Sequence, residues 1–80
     1  MQIIESEKRS SGGINQVYGT IENFDFELMF NLKDNFRVCY LFDFEKKLIA
    51  FEDRKRNKFW SCKENAKEIL KTIYDYYSLN

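Results

Sequence analysis

The sequence predicts an α+β fold: an antiparallel β-meander of four to five strands with one C-terminal α-helix packed on one face. Three observations lead there. Apolar and polar residues alternate along 24–32 and again along 36–44, the period of strands with one buried face. Turn-forming residues separate those two runs. Over 62–77 the period becomes helical, with Ala66, Ile69, Leu70, Ile73, Tyr74 and Tyr77 on one stripe. A helix with a single apolar stripe packs against the apolar face of the sheet.

Along the chain, residues 2–8 read as a strand whose place in the sheet is open, and Arg9-Ser10-Ser11-Gly12-Gly13 reads as a turn or loop. Residues 14–22 form the next strand, in which Gly19 marks a bulge or a close backbone approach. The pair 24–32 and 36–44 forms the central hairpin. A three-residue loop, Lys33-Asp34-Asn35, pairs Leu32 with Phe36, Phe30 with Val38, Leu28 with Tyr40, Phe26 with Phe42 and Phe24 with Phe44. That register gathers the whole apolar set on one face, with Asn35 supplying the left-handed residue that closes the loop. Residues 48–53 continue the meander in one of two registers, either Leu48 and Ala50 or Ile49 and Phe51 on the core face, the second favoured because it buries more surface, and 58–60 is a candidate for a short further strand. Ser61-Cys62-Lys63-Glu64 matches a capping box and predicts the helix start.

Composition narrows the function. Eighty residues suit one domain, 1–80. A chain this short hides only roughly 60–65% of its extended surface, so its eight Phe, five Tyr and one Trp carry much of the burial. Thirteen basic residues balance thirteen acidic ones, which argues against both a general nucleic-acid binder and a DNA mimic. Met1-Gln2-Ile3-Ile4-Glu5 meets charge after two apolar residues, and no apolar run is long enough to span a membrane, so the reading is a cytoplasmic protein with no membrane association.

Catalytic equipment is sparse. The chain has no His, the usual acid-base group near neutral pH. Cys39 and Cys62 form no CxxC pair and read as reduced, partly buried thiols, so no metal and no cofactor is expected. No GxSxG elbow or phosphate-binding loop is present. In the derived register Asp25 faces Asp43 near Glu27 and Glu45, an acidic strand end whose main alternative to simple solvation is a metal- or arginine-binding patch.

The sequence therefore points to a small non-enzymatic binding protein that occludes a surface of a larger macromolecule. One such role is a phage- or mobile-element-encoded inhibitor of a host defence system, in the manner of an anti-CRISPR protein; another is a toxin-immunity protein. Two surfaces are candidates. Met29, Cys39 and Leu41, beside Arg37, fall on the sheet face opposite the helix. Arg54, Lys55, Arg56 and Lys58 run into Phe59 and Trp60, a basic and aromatic tip suited to a protein partner or to a nucleic-acid module, with Lys8 and Arg9 joining it if the first hairpin lies at that end. Homodimerisation through the outer face or an edge strand is a further route.

Overall fold

Six strands, more than the four to five anticipated, form one antiparallel meander in the computed structural model, which describes residues 1–79. They are β1 (Ile3–Ser11), β2 (Ile14–Ile21), β3 (Phe24–Asn31), β4 (Phe36–Phe42), β5 (Leu48–Asp53) and β6 (Lys58–Ser61), in spatial order β1 to β6, followed by α1 (Ala66–Tyr76). The α+β class stands, and the first strand lies at an edge beside β2.

Turn chemistry sets the connections. Gly12 and Gly13, at φ +58° and +84°, make the two-residue loop that joins Ser11 to Ile14, where both positions need a positive φ. The Asp43 Oδ1 accepts from the Glu45 and Lys47 amides at 2.9 and 3.0 Å and closes the turn before β5. Asp53 Oδ1 likewise accepts from the Arg56 amide at 3.1 Å in the turn before β6. Gly19 answers a close approach: a Cβ there would sit 2.6 Å from the Ile4 carbonyl oxygen and 2.8 Å from the Phe26 ring.

The central hairpin corrects the expected register by one residue. Asn31 pairs with Phe36, Phe30 with Arg37, Leu28 with Cys39 and Phe26 with Leu41, so the loop has four residues, 32–35. Asn35 does take the left-handed conformation, at φ 56°, and Asn31 Oδ1 accepts from the Lys33 amide at 2.8 Å. Because side chains alternate, the shift turns Phe36, Val38, Tyr40 and Phe42 to the outer face and brings Cys39 and Leu41 beneath the helix. Leu32 and Phe44, expected in the core, are 70% and 79% exposed. Size decides the direction. Cys39 and Ala50, both fully buried, are small enough for the helix to pack closely against β4 and β5, as a row of aromatics would not be.

A bulge adds a second correction. Leu41 pairs with Ala50 but Phe42 pairs with Leu48, leaving Ile49 as the extra residue. Ile49 and Ala50 both join the buried cluster, while Phe51 is only half-buried and shares the outer face with its partner Tyr40. The inner core is completed by Val17, Ile21, Phe26, Leu28 and Phe30 from the sheet and by Ala66, Ile69, Leu70, Ile73 and Tyr74 from the predicted helix stripe.

The helix begins at Ala66, four residues after the expected 62, and its N-cap Asn65 makes no side-chain cap. Ser61 is occupied elsewhere. It pairs with Ala50 as the last residue of β6, and its Oγ both accepts from the Lys63 amide at 2.9 Å and donates to the Lys63 carbonyl at 2.7 Å. At the other end, Tyr77 donates to Glu5 Oε1 at 2.9 Å and ties the helix terminus to the edge strand β1.

Candidate binding face

The helix covers one face of the sheet, and the opposite face carries an aromatic row. Through successive strand pairings Tyr18 lies beside Glu27, Glu27 beside Tyr40, Tyr40 beside Phe51 and Phe51 beside Trp60. Met29 pairs with Val38 in the neighbouring row, and Phe42 with Leu48 on the other side. The Tyr40 ring lies 6.5 Å from Phe42 and 6.2 Å from Phe51, centroid to centroid. Gln16 Nε2 donates to the Tyr18 hydroxyl at 2.7 Å and fixes that ring. Most of these side chains are half-buried by one another, and Trp60 at the β6 edge is 45% exposed.

The sequence-derived surface residues separate into groups. Met29, Lys58 and Trp60 do belong to the outer face. Arg37, Cys39 and Leu41 do not, because the one-residue register shift carries them to the helix side. There Arg37 Nη1 donates to the Leu79 carbonyl at 2.7 Å, and its guanidinium stacks on Tyr74. Cys39 is fully buried, and burial pushes its thiol far above the usual range, with Glu52 adding to the shift. A thiol in that setting is inert as a nucleophile. Cys62, read as partly buried, is exposed and free.

The basic segment is also divided. Arg56 bonds Asp53 through Nη1 at 3.0 Å, and the Arg56 amide is the first of the bonds that hold the Asp53 carboxyl below its ordinary value. Arg54 and Lys55 line a separate hollow with Asp34, Asn35 and Phe36 at the turn end of the sheet. The first hairpin shares that end, since alternate turns of a meander do, but β1 and β6 are opposite edges. Five strand spacings of ~4.8 Å put Lys8 and Arg9 about 24 Å from β6. Arg9 pairs with Glu7 at 2.8 Å instead of joining the tip.

The expected acidic end dissolves in the same way. Asp25 pairs with Phe42 in place of Asp43, and Lys46 Nζ reaches its carboxylate at 2.6 Å, while Asp43 is used up as a turn cap. Among the described residues no group of three or more His, Cys, Asp or Glu is arranged to hold a metal ion, and no helix is long and apolar enough to cross a membrane.

What sequence reasoning missed is the aromatic content of the outer face: Tyr18, Tyr40, Phe42 and Phe51. A signal was present in 36–42, where both alternating sets contain apolar residues and the burial of either is consistent with the pattern. The chain matches no protein-family model, no curated protein and no solved structure at a significant level.

Proposed function

We propose that the chain is a non-enzymatic binding protein that occludes a surface of a protein partner with the outer face of its sheet. The observation that carries this reading is the row Tyr18, Tyr40, Phe51 and Trp60, with Met29, Val38 and Phe42 around it, on the face the helix leaves open. Aromatic residues and Met are the types enriched where proteins bind proteins. The two longer dimensions of the molecule, 31 and 27 Å, frame a face able to supply the ~800 Å² that each side of a standard interface buries.

Charge favours protein over nucleic acid. A stacking platform for single strands sits in a positive groove, whereas here Glu7, Asp25, Glu27 and Asp53 offset Arg9, Lys46, Arg56 and Lys58 on the face with the rings. Small size and one dominant open face suit an inhibitor that blocks a larger enzyme, such as a phage-encoded antagonist of a host defence system, or an immunity protein that covers a toxin.

The test is capture of a partner from cells that carry the gene, followed by the same capture with Phe51→Glu and Trp60→Glu. Both substitutions should abolish a stoichiometric complex while the circular dichroism spectrum stays native, and Leu32→Ser, at an exposed loop position, should not. If both glutamate variants retain the partner, the outer face is not the binding surface.

A further inference from the structure

The carboxylates of the outer face are paired within the fold, with one exception. Asp25 binds Lys46, Asp53 binds Arg56 and Glu7 binds Arg9. Among the described residues the Glu27 carboxylate makes no hydrogen bond and no ion pair, although Glu27 is half-buried in the middle of the aromatic row, between Tyr18 and Tyr40. A hollow of about 420 Å³ opens there, walled by Tyr18, Phe42, Asp25, Lys46 and Ser6 together with Glu27. Its volume is within the range of small-ligand pockets.

The walls of the hollow are held in place. Ser6, the extra residue of a bulge in β1, donates its hydroxyl to the Tyr18 carbonyl at 2.9 Å. Gln16 holds the Tyr18 hydroxyl, and the Phe42 ring is stacked with Tyr40. Lys46 neutralises Asp25, so the net charge left in the wall is that of Glu27.

An unanswered carboxylate flanked by aromatic rings has a defined complement, which is a flat cation. A guanidinium donates two parallel bonds to a carboxylate and stacks its faces on rings, and it is weakly hydrated. An ammonium is a compact, strongly hydrated point charge that gives up more hydration on entering such a hollow. We propose that this hollow receives an arginine side chain of the protein partner, its guanidinium on Glu27 between Tyr18 and Phe42. The proposal rests on the outer face being the binding surface, and it supplies the chemistry by which that face chooses what it covers.

Titrating the isotopically labelled full chain with Nα-acetyl-arginine methylamide, and in parallel with its lysine and citrulline counterparts, tests the assignment by amide chemical shifts. The arginine probe should give saturable shifts at Tyr18, Glu27 and Phe42. Lysine should bind at least about fivefold more weakly, citrulline should give none, and Glu27→Gln should weaken arginine about tenfold with its amide spectrum otherwise native. Absence of arginine shifts, equal shifts from citrulline or lysine, or a Glu27→Gln variant that binds arginine as well as the parent would each overturn it. The pocket and the face fail separately. A silent arginine titration, with Phe51→Glu still abolishing capture, removes the pocket and keeps the face. Arginine shifts with capture indifferent to Phe51→Glu remove the face.

Discussion

The Arg37 guanidinium lies 3.8 Å above the ring centroid of Tyr74, clamped between β4 and the helix that covers it. Its Nη1 holds the Leu79 carbonyl and its Nη2 lies 3.6 Å from Glu52 Oε1, so one side chain ties strand, helix and C-terminal segment together. Its Nε, Glu52 Oε1 and the Tyr74 hydroxyl are buried without a hydrogen-bond partner, so the cost of losing Arg37 falls on Glu52, whose carboxylate would be left without its cation.

Arg37→Ala should therefore destabilise the fold by about 2–3 kcal/mol, because it removes a charge-assisted hydrogen bond and a cation–π interaction together. Arg37→Lys should restore little of it, because an ammonium lacks the planar fork. Urea unfolding of the three proteins measures both.

Gly19→Ala should lower stability by about 1–3 kcal/mol, since the added methyl meets the Ile4 carbonyl oxygen at 2.6 Å and the Phe26 ring at 2.8 Å. For a chain of this length each kcal/mol moves the thermal midpoint by roughly 4–8 °C. Amide exchange should show β1 opening first, because the backbone atom that must move belongs to it.

Phe44→Ala discriminates the two hairpin registers, with Phe26→Ala, at a core position in both, as its reference. Phe26 is 2% exposed and Phe44 is 79% exposed. Phe26→Ala should cost about 3–5 kcal/mol. Phe44→Ala should change stability by no more than about 0.5 kcal/mol, where a core Phe44 would have cost several.

Stability should fall in alkali. Burial raises the Cys39 thiol and the Tyr74 hydroxyl far above their ordinary values of 9.0 and 10.0, so the native chain keeps protons that the unfolded chain releases. Their contribution is complete below about pH 9 and declines progressively as pH rises above the unfolded values. Tyr77, raised by burial and by its bond to Glu5, acts in the same direction. Thermal midpoints measured from pH 7 to 11 should decline above pH 9, and the decline should be shallower in Cys39→Ala combined with Tyr74→Phe.

The legible parts of this fold are those where the residues allow one reading. The stripe Ala66, Ile69, Leu70, Ile73 and Tyr74 fits a helix and nothing else, and all five are buried. Over 36–42 both alternating sets are apolar enough to face a core, so the pattern permits two registers, and the choice falls to packing with Ala50 and the helix, which no local pattern records. That single-residue difference exchanged Cys39 and Leu41 for Tyr40 and Phe42 at the outer face while leaving Met29 and Trp60 in place. The capping signature at Ser61 misled for a related reason: a serine that ends an edge strand bonds its own turn before any helix can use it.

Every strand pairs with its neighbour in sequence, and the one element that closes the inner face comes last. During synthesis the meander can form hairpin by hairpin with short-range closures, yet until residues 66–79 leave the ribosome it is a sheet with two sticky sides. A chain cut short before Ala66 would present Leu28 and Leu41 on one side and Tyr40 and Phe51 on the other, and would meet its own copies before any partner.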